Sequence, residues 1–449
     1  MLRKSLALLL PLLAVTASNV RDAAACGGCF VPPDANTQVT GHRMVLSVSS
    51  AESTLWDQIT YDGDPASFAW VLPIRGQVDV GVSSDLLFNS LAFMTDTVIV
   101  QPSLNCPYSC SDYGDGGENG PSGAASGTGG GSAGGVTVIA QEVVGPYDTA
   151  QVAADDPQAL QDWLDTNGYN IPDEIAPIIA DYVEEGFGFL ALKLVPGQGI
   201  DSMKPVRITT PGGSAQLPLR MVAAGTGAIT PITLWVVGEG RYEPSNFSSF
   251  SIPTSDIVWN WDTSDSNYAA LKEQGLAADG GATWLVESAT AQSPYAVENL
   301  IQPVIDNLPE QSGYGDPDGL HVQEQADEDL AALYGALDRG AMWITRMHAQ
   351  LPRAALDADL NIGASADQTT VPNLHVVTET TGTVPLCPPD PCASGSSGSG
   401  PFLPDSDGFE DGGSEIGGGG CNLGHGGTSG LGAMALALVL AWSRRRRAR

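Results

Sequence analysis

The sequence predicts an α+β fold, mainly antiparallel sheet with packed helices, in one large or two intimately packed domains. Segments rich in β-branched and aromatic residues recur along most of the chain, bounded by Gly, Pro and Asp turn residues. A few helices with clear start and stop signals lie among them. Many neighbouring strands are separated only by Pro and Gly turns, which favours antiparallel pairing.

The first predicted elements follow Pro33. They are strands at 39–49, 55–61 and 67–74, a short helix at 85–94 and a strand at 97–101. Residues 112–135 are almost entirely Gly, Ser, Ala and acids, which predicts a flexible surface insertion. A further strand is predicted at 136–144.

Two helices are predicted next. The first has Asp156 as N-cap and Pro157 at its first position, and it stops at Asn167-Gly168. The second runs from Pro172 to Gly186 with an apolar face of Ile, Tyr and Val side chains. Each should bury that face against a sheet, which we expect to continue with strands at 187–195, 206–210, 217–224 and 232–237.

The second half repeats this mixture more loosely. Strands are predicted at 256–261, 283–287, 341–348 and 373–378, and helices at 267–273, 295–306 and 325–338. The predicted organisation is a signal peptide (1–25), an α+β domain (26–240), a second α+β part (241–385), a Pro/Gly/Ser/acidic linker (386–420) and a sorting tail (421–449).

The N-terminus has the features of an export signal. Arg3 and Lys4 precede the apolar run 5–15, and Ala23-Ala24-Ala25 offers a cleavage site before Cys26. Cleavage after Ala17 is an alternative. Lipidation of Cys26 is another, although Arg21 and Asp22 interrupt the apolar stretch.

The C-terminus combines a cysteine, a short apolar segment and an arginine cluster. Cys421 precedes the apolar run 431–442, and Arg444–Arg447 follow it. The positive-inside rule places these arginines in the cytoplasm and everything before Leu431 outside. The run is shorter than the roughly 17 to 25 residues of a comfortable membrane span, which suits a protease substrate better than a permanent anchor. An ordinary tail anchor is the alternative.

This tail resembles the MYXO-CTERM sorting signal found on many exported proteins of myxobacteria and their relatives. The matching features are Gly420-Cys421, the spacer, the short span and the arginines. The resemblance implies recognition by an intramembrane sorting protease, loss of the arginine tail, and retention at the cell surface through lipid on Cys421.

Charge excludes some partners. Without the two end segments, eleven basic residues stand against fifty-one acidic ones, about forty net negative charges. Such a body is a poor partner for nucleic acid or anionic membrane surfaces. It can attract divalent cations or basic partners, or it is simply a solvated acidic surface.

Six of the seven cysteines form three close couplets, and the seventh is the sorting residue, Cys421. In an oxidising compartment these six are disulfide candidates, with fifteen pairings open: Cys26, Cys29, Cys106, Cys110, Cys387 and Cys392. A zinc site from the first four is an alternative with suitable ligands. A redox role for Cys26-Gly-Gly-Cys29 needs a strand before the motif and a helix after it, and neither is predicted.

A second resemblance covers residues 26 to 380. The opening ACGGCFVPP, the segment 144–148 leading to Trp163–Tyr169, the phrase 189–194, and Trp343–Arg346 followed by Leu351-Pro352 are similar to an exported bacterial family of unknown function, domain-of-unknown-function family 2330. The resemblance implies a compartment and a shared fold, but no activity.

Local catalytic patterns are weak. Ser132 lies in a glycine-rich tract that fits the nucleophile-elbow and dinucleotide patterns but lacks the strand before and helix after that both need. The five histidines have no metal-ligand spacing. Arg346 and His348 share a face of a predicted strand, which favours a structural pair. Asp405, Asp407 and Asp411 are weak calcium candidates, because Ile416 occupies the position where an EF-hand needs glutamate.

The sequence therefore predicts no catalytic residue and no cofactor. We expect an exported protein of the cell surface or outer envelope, initially anchored in the inner membrane by its tail, that binds an extracellular ligand or serves a structural role. An exported hydrolase with a dispersed active site is the alternative. The expected partners are the export machinery, signal peptidase, an intramembrane sorting protease and an unknown extracellular ligand.

Overall fold

The computed structural model describes residues 29–30, 38–62, 69–104, 137–169, 175–195, 203–213, 215–223, 228–306 and 317–387. Its strands are, in chain order, β1 (Cys29–Phe30), β2 (Gln38–Val48), β3 (Glu52–Asp62), β4 (Ala69–Ile74), β5 (Asp79–Val82), β6 (Val98–Val100), β7 (Thr137–Val144), β8 (Tyr147–Ala153), β9 (Gly188–Leu194), β10 (Val206–Pro211), β11 (Gln216–Leu217), β12 (Ile229–Glu239), β13 (Tyr242–Pro244), β14 (Ser248–Phe250), β15 (Val258–Asn260), β16 (Asp265–Ser266), β17 (Thr283–Ala291), β18 (Met342–Pro352), β19 (Leu360–Ala364), β20 (Leu374–Val376) and β21 (Glu379–Thr381).

Seven α-helices occur within the described residues. They are α1 (Asp85–Thr95), α2 (Pro157–Thr166), α3 (Ala176–Glu184), α4 (Leu219–Ala223), α5 (Tyr268–Leu276), α6 (Glu298–Asp306) and α7 (Pro317–Tyr334). With the mostly antiparallel sheets, they confirm the predicted α+β class. Asp156 is the N-cap of α2 and accepts a hydrogen bond from the Gln158 amide, as the sequence predicts.

Two sheets and two groups of helices form four layers. An eight-stranded sheet has the order β14-β17-β18-β12-β2-β3-β10-β5, with parallel pairs only at β14/β17 and β12/β2. A five-stranded sheet has the order β1-β4-β9-β8-β7. Apolar side chains of β4 and β9 pack against those of β5 and β10, so the two sheets bury facing surfaces.

Helices cover the outer faces. On the five-stranded sheet, α2 and α3 pack over side chains of β4, β8 and β9. On the eight-stranded sheet, α1, α6 and α7 pack over side chains of β2, β3, β12 and β18. The other face of the eight-stranded sheet also packs against α4, β11 and β19. The strands of the eight-stranded sheet come from both sides of residue 240.

Two sequence predictions about the sheets are wrong. The predicted strand 217–224 is a two-residue strand followed by α4, because Pro218 has no amide to continue a ladder and suits a helix start instead. The expected single sheet is also divided, with β9 in the five-stranded sheet and β10 and β12 in the eight-stranded one. All three strands carry buried apolar residues, so their composition does not reveal which sheet they join.

Other differences concern element boundaries. The sequence misses β8, which forms a hairpin with β7 through a two-residue turn at Gly145-Pro146. Gly145 has a φ of 56°, which glycine adopts without strain. Helix α7 begins at Pro317 and ends at Tyr334, whereas 325–338 was predicted.

Candidate functional site

A buried group of charged residues lies on the helix-covered side of the eight-stranded sheet. We call it the Glu287 cluster: Glu287 from β17, Arg346 and His348 from β18, and Lys272 from α5. Alternation along β18 places Arg346 and His348 on one face of the sheet. Glu287 is the extra residue at a bulge in β17, the kind of irregularity that redirects a side chain.

Both oxygens of Glu287 face cations. Lys272 Nζ donates to Glu287 Oε1 at 2.6 Å. Arg346 Nε lies 2.7 Å from Glu287 Oε2, an ion-pair distance without the alignment of a hydrogen bond. The Arg346 guanidinium also pairs with Asp96 and lies 5.4 Å from the centre of the Trp235 ring. The glutamate is therefore held as a paired anion.

The electrostatics of the cluster oppose acid–base chemistry at neutral pH. Burial alone raises the pKa of Glu287, but the charges of Arg346 and Lys272 outweigh it, so this pKa lies below its usual value. Burial, with Lys272 next in importance, lowers the pKa of His348 to about 4. His348 is then neutral at pH 7. Its Nδ1 lies 3.5 Å from Thr233 Oγ1.

A second buried carboxylate joins helix α7 to the same face of the sheet. We call it the Asp329 cluster: Asp329, Trp56, Ser83 and Arg207. Asp329 accepts hydrogen bonds from Trp56 Nε1 at 2.8 Å, Ser83 Oγ at 2.6 Å and Arg207 Nη1 at 3.2 Å. Burial raises the pKa of Asp329 to about 6. Its contacts fix the position of α7.

A third cluster lies at a junction of α3, α4 and β11. Asp359 accepts hydrogen bonds from the Tyr182 hydroxyl at 2.5 Å, Gln216 Nε2 at 3.2 Å and Arg220 Nη2 at 2.9 Å. Arg220 also forms a two-bond pair with Glu185 at 2.7 and 2.8 Å. Burial and the nearby Asp359 raise the pKa of Tyr182 far above its usual value, so the phenol stays protonated.

A cavity of about 60 Å³ opens beside this third cluster, which is room for a few water molecules. Arg75 and Phe187 line the cavity, and the Arg75 guanidinium lies 3.8 Å from the centre of the Phe187 ring. Other lining residues are Ser53, Thr210, Gln216 and Asp359. The cavity is too small for a drug-sized ligand, since pockets for such ligands measure roughly 300 to 1,000 Å³.

A buried histidine on β2, His42, lies between the two sheets. His42 Nδ1 is 3.1 and 3.2 Å from the two oxygens of Asp57, and the side chains are only 1% and 3% exposed. His42 Nε2 is buried and has no hydrogen-bond partner among the described residues. No described Ser or Cys is hydrogen-bonded to His42, so the pair contains only part of a hydrolase triad.

A family model described as an uncharacterized protein conserved in bacteria (DUF2330) matches residues 20–361. The chain belongs to this family. The match confirms the predicted resemblance of the main part of the chain to this family, although its bounds differ from the expected 26 to 380. No curated protein and no solved structure matches the chain.

Most residues singled out from the sequence lie outside the described part of the chain. The calcium candidates Asp405, Asp407 and Asp411 lie outside the described residues, as do Ser132 and five cysteines: Cys26, Cys106, Cys110, Cys392 and Cys421. Cys29 lies in β1, and Cys387 is disulfide-bonded. The pairing of the cysteines stays a prediction.

The described residues contain neither a metal-holding group nor a membrane-spanning helix. No group of three or more His, Cys, Asp or Glu side chains in this part of the chain is arranged to hold a metal ion. None of the helices here has both the length and the apolar character needed to cross a membrane. The predicted tail segment 431–442 lies outside the described residues.

Sequence reasoning missed the carboxylates on which these clusters depend. Asp57 and Glu287 each interrupt an apolar strand segment, in Leu-Trp-Asp57 and Leu-Val-Glu287. An acid inside such a segment is a usable signal, because a buried charge needs a partner. The partner itself cannot be read from the segment.

Proposed function

We propose that this protein is exported and anchored at the bacterial cell surface or outer envelope, where its α+β body acts as a non-catalytic binding or structural protein. The observation that carries the proposal is the pair of chain ends. An export-type segment precedes Cys26, and Cys421 is followed by a short apolar run and an arginine cluster. The resemblance of this tail to MYXO-CTERM signals adds a sorting protease as partner.

The charge distribution of the body supports a non-catalytic role. Glu287 and Asp359 are engaged by cations and hydrogen-bond donors of the protein itself. A general base needs a free lone pair within reach of substrate, and these carboxylates are already used to join elements of the fold. The excess of acidic residues favours a basic or cationic extracellular partner over nucleic acid.

Intact-mass measurement on protein extracted from its native host tests export and sorting together. We expect a chain that begins near Cys26 and ends near Cys421, with any lipid visible as added mass. Cys421→Ser should leave an uncleaved precursor in the inner membrane. Recovery of the complete arginine tail on surface-located protein would contradict the sorting proposal.

Thiol titration tests the compartment independently. Denatured, unreduced mature protein cleaved at Cys421 should contain essentially no reactive cysteine among the three couplets if they pair in an oxidising compartment. Four reactive thiols together with bound zinc would instead indicate a metal site at the N-terminal cysteines.

The second candidate is an exported hydrolase, and the His42–Asp57 pair is the observation that favours it. The carboxylate orients the imidazole as in a catalytic triad. The burial of His42 argues against it, because a substrate must reach Nε2. Turnover of ester, peptide or glycoside substrates that disappears in His42→Gln, with an unchanged melting temperature, would establish this alternative.

A further inference from the structure

A two-stranded parallel sheet formed by β6 and β20 has an exposed aliphatic face. Side chains alternate along each strand, so Ile99 and His375 point inward, where Ile99 packs against a buried apolar cluster and His375 is buried. The outer face carries four aliphatic side chains with exposed fractions from 37% to 57%. We call them the β6/β20 patch: Val98, Val100, Leu374 and Val376.

The patch is contiguous. Its residues lie opposite each other in the register of the two strands, Leu374 beside Val98 and Val376 beside Val100. Apolar residues exposed singly are normal on a protein surface, whereas adjacent ones mark interaction sites more often. A two-stranded sheet is also marginally stable by itself, so a further strand would stabilise it.

The backbone of β20 has one unpaired edge. The Val377 amide donates to the Val100 carbonyl at 3.1 Å. Amide directions alternate along a strand, so the N–H and C=O groups of Leu374 and Val376 point away from β6. No strand within the described residues lies on that side of β20. Such an edge is a template for pairing with another chain.

Two exposed acids lie near the end of this edge. Glu379 begins β21 three residues after β20 ends, and it is the parallel partner of Val258 in β15. Asp256 precedes Val258 by two residues and ends a short turn whose Thr254 hydroxyl is 2.9 Å from His375 Nδ1. Both acids are exposed. No described cation lies within ion-pair distance of either one.

These features together select one class of partner. An added strand would pair with the free backbone edge, its aliphatic side chains would cover the patch, and its basic side chains would face the acids. A second copy of this chain fits less well, because each body carries about forty net negative charges and copies repel each other. An anionic lipid surface is disfavoured for the same reason.

We propose that β20 is a docking edge for an extended peptide segment with alternating aliphatic and basic residues, which joins the β6/β20 sheet as a third strand and covers the patch. This inference rests on the proposed function of the body as a binding protein, and it specifies the basic partner as an extended chain. Main-chain hydrogen bonds supply affinity, while the patch and the two acids supply specificity.

The probe is a short fluorescent peptide of alternating valine and lysine, titrated into the full chain and followed by fluorescence anisotropy. We expect saturable binding that weakens as the salt concentration rises, because exposed charges contribute to it. A peptide with glutamate in place of lysine should bind at least tenfold more weakly. Absence of saturable binding, or equal binding of both peptides, would overturn the proposal.

Val376→Lys tests where the peptide binds. It places a charge in the patch and should weaken binding at least tenfold, because lysine repels the basic peptide and disrupts the apolar contact. Val143→Lys is the matched control, since Val143 is an exposed valine on β7, an edge strand of the five-stranded sheet. It adds the same charge and should bind the peptide as wild type does. Equal weakening in the two variants would indicate non-specific attraction to an acidic surface and contradict the proposed site.

Both lysine substitutions are at exposed positions, 57% for Val376 and 66% for Val143, so these variants should fold. Their melting curves without peptide will confirm it. Glu379→Gln should weaken binding by about two- to fivefold, the size of an exposed ion pair. Glu184→Gln, which changes an exposed glutamate on α3, should leave the affinity unchanged. The same affinity in Glu379→Gln and Glu184→Gln would refute the role of the acids at this edge.

Two N-methylated peptides test the strand pairing, one methylated at its valines and the other at its lysines. A strand directs the amides of alternate residues toward its neighbour, so one peptide should bind at least tenfold more weakly than the other. Bound peptide should also slow amide hydrogen exchange at Leu374 and Val376. Equal affinity of the two methylated peptides, or unchanged exchange, would rule out an added strand.

Sedimentation of the full chain without peptide tests the other occupant. We expect a monomer. A dimer that dissociates in Val376→Lys would assign the patch to a second copy of this chain and overturn the proposal. All these measurements use purified protein, so their failure is distinguishable from a failure of export and sorting, which the intact mass reports.

Discussion

Glu287 and Asp329 are carboxylates buried on the same helix-covered side of the eight-stranded sheet, with exposed fractions of 5% and 0%. Their environments shift the pKa in opposite directions. Two cations close to Glu287 outweigh its burial and keep its pKa low. Asp329 receives mostly neutral donors, and burial raises its pKa to about 6. The difference teaches that the number of nearby cations, more than depth, decides how a buried acid behaves in this fold.

Arg207 explains part of the contrast. It lies 3.2 Å from Asp329 but only 2.6 Å from Glu328, which is half exposed. The one cation of the Asp329 cluster is therefore shared with a second acid. Lys272 and Arg346 both face Glu287, although Arg346 also contacts Asp96.

The largest effect should come from removing the charge of Glu287. Glu287→Gln leaves Lys272 and Arg346 facing a neutral group, and breaking a buried pair costs about 3 kcal/mol or more. Urea unfolding at pH 7 measures this change in the free energy of unfolding. Asp148→Asn is the matched control, because it breaks a partly exposed pair with Lys193 that should contribute less than about 1 kcal/mol. Equal losses of unfolding free energy in Glu287→Gln and Asp148→Asn would contradict the stronger pairing of the buried carboxylate.

A smaller effect should appear in the pH dependence of Asp329. Its folded pKa is raised, so its stabilising contribution is complete below its unfolded value near 4 and is lost as the pH rises through about 6. The free energy of unfolding of wild type should exceed that of Asp329→Asn by about 2 kcal/mol more at pH 4 than at pH 7. Unfolding curves at both pH values measure it. A constant difference between wild type and the variant would show that Asp329 does not titrate in this range.

His348 should give a pH dependence of the opposite sign. Its folded pKa is lowered to about 4, so its contribution is present above pH 6.5 and is lost as the pH falls toward 4. The residue is partly exposed, which limits the effect. We expect the free energy of unfolding of wild type, relative to that of His348→Gln, to fall by about 1–2 kcal/mol between pH 7 and pH 5. Denaturation at these two pH values is the measurement. Growth of the difference toward acid pH would contradict the placement of His348 beside Lys272.

The smallest effect should come from Glu328, and it sharpens the explanation given for Arg207. Glu328→Gln removes a half-exposed partner and should change the free energy of unfolding by less than about 1 kcal/mol. It should nevertheless lower the pKa of Asp329, because Arg207 is then no longer shared. The midpoint of the Asp329-dependent stability change reports this shift. An unmoved midpoint would mean that Arg207 hardly influences Asp329.

Local sequence signals predicted many of the elements. The Asp156 cap and the following Pro157 gave helix α2, and the apolar β-branched run before Glu239 gave strand β12. These predictions succeed because capping and alternation act over a few neighbouring residues. The strand predicted after Pro218 is wrong because alternating apolar residues in so short a stretch fit a strand and a helix equally well.

The buried clusters could not be predicted in the same way. Lys272, Glu287 and Arg346 are brought together by a helix and two strands that lie far apart in the sequence. Asp329 meets Trp56 across more than half of the chain. Arg346 and His348 share a strand face, as alternation along the chain predicts, but their charged neighbours come from other elements.

The sequence by itself determined the class of fold, the family, the acidic character and the two terminal segments on which export and sorting are proposed. Each depends on composition or on residues close together in the chain. The tertiary structure decided which sheet each strand joins, which acids are buried beside cations, and that His42 and Asp57 meet. The physical reason is that burial and electrostatic energy depend on distances in space, and strand pairing and layer packing set those distances.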